Sequence, residues 1–414
     1  LPGHEPRGRL PWREGLLIFA LALTLNLLGN GWISLWDRDE PRYAACAREM
    51  WTNQDYLFPT FNAEPRYHKP VLVYWLMQLG RLVGGDNPFG ARFVSSVMGA
   101  GTCLLIWGLG RRMLGPWAGF WSALVLATAP IMVAESKLST TDATLTFFLV
   151  GCWFCLWELS RRDSKALTLV FWVSLALATL TKGPVGPGLI AASVVVSWWW
   201  GGPTAFLRRL RWSWGVPLFF LITAPWYLAI GILSNGEFYR VSMGYHVIRR
   251  MTTGIEQHGH FPGYYLLGSL VTFYPWSALV PAAVLALWRS RQQTPAAGFL
   301  MGWVIGPLIL FELVRTKLIH YYLPAYPGCA LMVGWLIEAV ARDEVNLRRW
   351  PLGRLAVGLL GGIGLTVVVV LLGSAPSLIA QGLTESLAGR FESMVLGHWS
   401  LAEMRAAFGW TVDE

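Results

Sequence analysis

Long apolar windows free of charge alternate with short basic segments and a few longer polar ones along the whole chain. A helix needs roughly 20 apolar residues to cross a bilayer. Against that length, stretches 15–35, 93–110, 113–134, 143–157, 166–181, 183–207, 212–236, 261–288, 294–311, 318–337 and 355–384 predict about eleven spans. The two short ones, 143–157 and 166–181, must borrow polar residues at their ends. The strand alternation of an outer-membrane barrel is absent. Backbone groups in lipid must be satisfied within the segment, so the spans are read as helices. The first stretch lacks a small-residue cleavage site and reads as an anchor, not a removed signal. The expectation is an all-α integral membrane protein.

Charge sets the orientation. Lys and Arg in short loops mark the cytoplasmic side. With Arg7, Arg9 and Arg13 inside, alternate loops on that side hold Arg111 and Arg112, then Arg161, Arg162 and Lys165, then Arg208, Arg209 and Arg211. Arg289 and Arg291, then Arg342, Arg348 and Arg349, complete the series. Every inner loop is basic, so the net charge of +9 is a topology signal and no nucleic-acid partner is expected. The spans then form one domain, 1–384, and 385–414 is expected to begin an extracytoplasmic region that this sequence does not complete. Composition agrees. Only 14% of residues are charged, against about 25% in soluble domains, which excludes a soluble enzyme or a disordered chain. Five scattered Cys, mostly in apolar windows, exclude a disulfide scaffold or a metal ribbon. The abundance of Trp, 24 residues, suits the membrane–water interface.

Two outer loops are long, about 36–90 and 237–260, and loops beyond about 12–15 residues are uncommon unless functional or disordered. These are too aromatic to be disordered. In WDRDEPRYAACAREM (36–50), Pro41 suits a first helical turn and puts Asp39 and Glu40 at a helix start. Asp39, Arg42, Cys46 and Glu49 would share one face, and Tyr43, Ala47, Met50 and Trp51 an apolar face able to lie on the membrane surface. A helix N-terminus keeps a carboxylate ionised, so Asp39 is a candidate proton acceptor or else a simple cap. In RYHKPVLVYWL (66–76), Lys69 suits a lipid phosphate or else snorkels at the interface. His68 is a candidate metal ligand or an ordinary polar contact. Asp142, after Thr140 and Thr141, is a second acid or a helix cap. Lys182 is a lone cation between spans, a functional candidate by default. His246, Arg249, Arg250, His258 and His260 lie in the second long loop, and Arg forks match phosphate oxygens. Lys317, His320, Tyr321 and Tyr322 open a late span. Acids for deprotonation, cations for an anionic leaving group and aromatics for stacking together describe group transfer from a lipid phosphate.

DEPRYA at 39–44, HKPVLVYW at 68–75, TTDA at 140–143, TKGP at 181–184, YHVIRR…HFPGYY at 245–265 and KLIHYYLPAYP at 317–327 carry a resemblance. In this order the chain resembles the polytopic GT-C glycosyltransferases that use polyprenyl-phosphate sugars, including protein O-mannosyltransferases and lipid A aminoarabinose transferases. The resemblance implies a multi-helix GT-C fold with amphipathic helices in the first outer loop. It implies Asp39 as general base or acceptor-orienting residue, with Asp142 and Glu40 as further acids. Lys69, Arg249, Arg250 and Lys317 would bind the donor phosphate, and Arg42, Tyr43, His246, Tyr321 and Tyr322 would line the substrate. The implied partners are a polyprenyl-phosphate sugar, a lipid or protein acceptor of the cell envelope, and membrane lipids. The implied location is the bacterial inner membrane, with the active site facing the periplasm or exterior. A divalent metal is a candidate cofactor, but His68 stands where the family often holds an acid, which removes one ligand. The short 237–260 loop favours a bacterial-type member. A transporter or lipid-linked-sugar flippase is the alternative; it would put ionisable groups near the bilayer midplane and repeat its halves, and neither is evident. An inactive structural subunit leaves the ordered rim motifs unexplained, and a ligase using diphosphate-linked glycans would lack them.

Overall fold

The computed structural model describes residues 11–36, 39–242, 244, 261–290, 296–346, 353–354 and 358. The chain divides into two compact units, Leu1–Val357 and Gly358–Glu414, and every element named below belongs to the first. Predicted residues 355–384 and 385–414 otherwise lie outside the described part, as do Arg249, Arg250 and His246.

Among the described residues the fold is helical, with one two-stranded antiparallel hairpin pairing Thr60 with Pro65 and Phe61 with Glu64. In chain order come α1 (Trp12–Leu27), α2 (Asp39–Thr52), the hairpin, α3 (Leu72–Gly84), α4 (Pro88–Met113), α5 (Pro116–Ala127), α6 (Pro130–Lys137), α7 (Asp142–Arg161), α8 (Lys165–Lys182) and α9 (Val185–Trp199). The helices Trp212–Leu233, Tyr264–Thr272, Val280–Arg289 and Ala296–Leu313 follow, then a 3₁₀ turn, Ile319–Ala325, leading into Tyr326–Ala341.

Six described helices are long and apolar enough to cross a bilayer, or seven if α5 and α6, bent by 59° at Thr128–Ala129, count as one. The chain is a multi-pass membrane protein. Ten of the eleven predicted windows fall on these helices or on shorter ones, and the eleventh lies outside the described residues. The shortfall has local causes. α1 has 16 residues and α9 has 15. Window 261–288 breaks around Pro275 into Tyr264–Thr272 and Val280–Arg289, because proline removes a backbone donor and clashes with the preceding turn. The windows 143–157 and 166–181 do recruit their polar flanks, as α7 and α8.

Packing sorts the helices by depth. The α7 window is 78% buried and that of Ile319–Ala341 83%, whereas Trp212–Leu233 is 17% buried and lies at the periphery. Trp153 on α7 stacks on Trp303 at 4.3 Å between centroids in the core. Gly298, Gly302 and Gly306 lie four residues apart on one face of Ala296–Leu313. A Cβ at Gly302 would meet the Ser193 carbonyl oxygen at 2.5 Å, and one at Gly306 the Ser193 backbone at 2.6 Å. Small residues at this spacing let two backbones approach closely where lipid supplies no hydrophobic drive between helices.

Each end of the helix set has its own ion pairs. At one end Arg111 meets Glu14 at 2.8 Å, Arg112 meets Glu158 at 3.2 Å and Arg211 meets Asp163 at 2.8 Å. Glu338 accepts from the Ala118 N–H at 2.5 Å there, serving the start of α5. The opposite end gathers the first long loop, the α6–α7 connection, Lys182 and the Ile319–Ala325 turn.

Candidate active site

The first long loop carries amphipathic helices α2 and α3. Pro41 sits in the first turn of α2, whose first two residues are Asp39 and Glu40. The apolar stripe of α2 does not lie free on a surface: Tyr43, Cys46, Ala47 and Met50 are buried, with Tyr43 5.9 Å from the ring of Tyr74 on α3. Cys46 joins this stripe rather than the Asp39 face, and burial pushes its thiol up to about 12, which leaves it unreactive.

Glu40 turns inward. Its fully buried carboxylate binds Arg92 of α4 through two bonds, at 2.9 and 2.7 Å. It also accepts from the N–H groups of Ser139 and Trp36, each at 2.7 Å. Arg92 spends its remaining donors on the carbonyls of Asn30, Ile33 and Ser34, at 2.8 to 2.9 Å. A carboxylate so satisfied has no capacity for a substrate proton, so Glu40 is corrected from a catalytic acid to the tie that fixes α2 against α1, α4 and the loop before α7. One residue earlier, Asp39 is left with its side chain half exposed and Arg42 at 3.9 Å.

α7 and α8 are antiparallel, joined by a short turn and nearly equal in length. The first residue of α7 therefore meets the last of α8, and Asp142 pairs with Lys182 at 2.6 Å. Each charge also suits its helix end, anion at the N-terminus and cation at the C-terminus. The Lys182 Nζ lies 4.8 Å from the centroid of Tyr321. His320 Nδ1 is 4.0 Å from the carboxylate of Glu135 on α6, which also accepts from the Thr140 hydroxyl at 3.2 Å.

These groups form one cluster. Asp142, Lys182, Lys69 and Asp39 all act electrostatically on His320. Asp142 in turn feels Lys182, His320 and Lys69. Tyr43 joins Asp39 to Asp142, and burial pushes its hydroxyl well above the ordinary tyrosine value, so it stays a neutral phenol. Arg66 lies over the rings of Tyr43 and Phe61, 5.4 and 5.8 Å from their centroids. Its buried Nε finds no acceptor among the described residues.

Several expected residues stand apart. Lys317 is buried and ion-paired to Glu312, and it donates to the Phe261 carbonyl at 3.2 Å. Its charge is already matched, so it is corrected from a phosphate ligand to a structural cation. Tyr322 is buried in the core and donates to the Val304 carbonyl at 3.0 Å, which removes it from the substrate lining. His68 is exposed, and among the described residues no three His, Cys, Asp or Glu side chains gather to hold a metal ion. Arg66 and Glu135 were not singled out as site residues, and His320 was named only among the residues that open the late span. Arg66 carried a signal, three residues before Lys69 in one motif, and His320 adjoins Tyr321. Glu135 carried none.

A family profile described as dolichyl-phosphate-mannose-protein mannosyltransferase matches residues 68–228. An undecaprenyl phosphate-alpha-4-amino-4-deoxy-L-arabinose arabinosyl transferase of Pseudomonas paraeruginosa is 31% identical over 85% of this chain and 64% of its own. A second such transferase, from Pseudomonas fluorescens, is 30% identical over 95% of this chain and 66% of its own. The crystal structure of ArnT from Cupriavidus metallidurans bound to undecaprenyl phosphate superposes with a TM-score of 0.72 at 25% identity, covering 88% of this chain and 66% of that one. The archaeal oligosaccharyltransferase AglB of Archaeoglobus fulgidus shares the fold, with a TM-score of 0.57 at 14% identity over 97% of this chain and 60% of that one. The chain spans slightly less than two thirds of the length of these relatives. In fold and in sequence the chain resembles the polytopic GT-C glycosyltransferases. Within that class it is similar along most of its length to the aminoarabinose transferases, and its link to protein mannosylation is at the level of the family alone.

Proposed function

We propose that this protein transfers a sugar from a polyprenyl monophosphate carrier to an envelope lipid of the lipid A type. The observation that carries this reading is the convergence of half-exposed Asp39 with Lys69 and the Asp142–Lys182 pair around one site. The relatives that are aminoarabinose transferases by name make 4-amino-4-deoxy-L-arabinose on undecaprenyl phosphate the first donor to test. The basic end of the helix set would face the cytoplasm and the site the periplasm of a bacterial inner membrane.

An acceptor hydroxyl, oriented by Asp39, attacks the anomeric carbon while its proton passes to the Asp39 carboxylate. The bond from that carbon to the phosphate oxygen breaks with its electron pair going to the phosphate. Lys69 faces the charge that develops there, and Arg249 and Arg250 are further candidates for that contact. A cation held in place before reaction costs no reorganisation as the charge develops. Asp142 neutralises Lys182 and keeps it aligned beneath Tyr321. Direct displacement predicts inversion at the anomeric centre. An acceptor phosphate would need no base, so the dependence on Asp39 also reports the acceptor's chemistry.

Asp39→Asn should lower transfer by about 10²- to 10⁴-fold and leave insertion into the membrane unchanged. The assay is mass spectrometry of lipid A and total envelope lipids from cells expressing either form. Undiminished product from the variant would remove Asp39 from the mechanism, and product on protein alone would replace the lipid acceptor.

A further inference from the structure

We infer that Phe238 is a positioning residue: its ring locks the segment bearing Lys69 to the outer end of α8, and so sets where the donor phosphate is held. This deepens the transferase reading and rests on it. Lys69 lies in an irregular stretch, 66–69, between the hairpin and α3. Pro65 and Pro70 bound that stretch, and neither has a backbone N–H to give to a ladder or a helix. Side-chain packing therefore has a large part in fixing it. Tyr67, two residues before Lys69, supplies that packing. Its ring meets Phe58 edge-on at 5.7 Å and Phe238 edge-on at 6.3 Å.

Phe238 belongs to the short helical turn Glu237–Tyr239 that opens the second long loop, yet it is 1% exposed. Its socket is the outer end of the helix Trp212–Leu233. The Phe238 ring lies 5.2 Å from Trp226 and 6.0 Å from Tyr227, tilted edge-on to both. Edge-to-face pairs favour one mutual orientation as well as a distance. Trp226 is buried although the apolar window of its helix is only 17% buried, so this socket is one of the few places where that helix meets the rest of the protein.

Hydrogen bonds anchor the socket on both sides. Trp226 Nε1 donates to the Leu57 carbonyl of the first loop at 3.0 Å. The Tyr227 hydroxyl donates to the Thr179 carbonyl at 3.2 Å. That same carbonyl accepts from the Gly183 N–H at 2.8 Å, in the closing turn of α8, whose last residue is Lys182. Phe238 is itself held in place: its N–H donates to the Ser234 hydroxyl at 3.1 Å, and the neighbouring Tyr239 hydroxyl donates to the Tyr227 carbonyl at 2.6 Å. The segment of Lys69 and the helix end of the Asp142–Lys182 pair thus share one aromatic support. Without the Phe238 ring the two can drift relative to each other, and a displacement of about 1 Å in a charged group is enough to cost about 100-fold.

The test is binding of a polyprenyl monophosphate, and separately sugar transfer, by the full chain in lipid nanodiscs, each expressed per folded molecule. Phe238→Ala should bind about 10- to 100-fold more weakly and raise the donor KM more than it lowers kcat. Tyr67→Ala should do the same, whereas Tyr67→Phe, which keeps the ring, should bind as wild type does. In a Lys69→Ala background Phe238→Ala should cost little more, because the contact it positions is already gone. Wild-type affinity in Phe238→Ala would overturn the inference. So would a loss as large in the Lys69→Ala background as in wild type, which is the mark of a residue that serves folding alone. Should Phe238→Ala fail to fold, the same cycle is run with Tyr67→Ala, and wild-type affinity there overturns the inference equally. Protein that shows these dependences in binding but transfers no sugar would refute the transferase reading and leave the role of Phe238 standing.

Discussion

Adjacent acids with opposite duties define this protein at the scale of single residues. Asp39 opens into the site, while Glu40 is sealed against Arg92, Ser139 and Trp36. Removing one partner of a buried ion pair costs about 3–5 kcal/mol, since the other charge stays behind unpaired. Arg92→Met should therefore lower the melting temperature and yield of purified protein sharply, whereas Asp39→Asn should leave both near wild type. Thermal unfolding in detergent, measured on the two variants side by side, checks this; a melting temperature for Arg92→Met equal to wild type would show the tie to be dispensable. The sequence marked both acids, because a helix start with proline in the first turn is a local signal. It did not separate them, since the inward direction of Glu40 depends on Arg92 and Ser139, 52 and 99 residues away. Lys317 differs: the partner that neutralises it, Glu312, stands only five residues earlier, at the end of Ala296–Leu313.

At the scale of elements, apolar length located the helices and local chemistry bent them. Pro130 starts α6 after a two-residue break from α5, and Pro275 falls between two short helices. Window length alone does not show a bend. The glycine face of Ala296–Leu313 against α9 is a further feature that hydropathy cannot weigh, because glycine is nearly neutral on such scales and acts here through what it lacks. Gly302→Leu should force the two helices apart at Ser193 and Ser197 and destabilise the protein by about 1–3 kcal/mol, read as a lower melting temperature. A variant as stable as wild type would mean that the contact yields without cost. Gly201, beyond α9 and with open space where a Cβ would lie, supplies the control position, though its positive φ of 69° calls for Asn rather than Leu.

For the molecule as a whole, the alternation of basic loops foretold which segments meet. Arg111, Arg112 and Arg211 find Glu14, Glu158 and Asp163 at one end, and Asp39, Asp142, Lys182 and His320 gather at the other. All five native Cys are buried, so a single introduced thiol gives a clean label. Asn62→Cys, on the exposed hairpin turn, should react with an impermeant maleimide added outside intact spheroplasts, and Asp163→Cys only after lysis. The reverse pattern would invert the orientation and place the site in the cytoplasm. The arginine tie adds a constraint of timing. Arg92 reaches back to partners already synthesised, but Glu40 receives its Ser139 donor only after α4, α5 and α6 have been made. A nascent chain ending between Arg92 and Ser139 can therefore form the Glu40–Arg92 pair but lacks the Ser139 donor, so the tie closes in two stages.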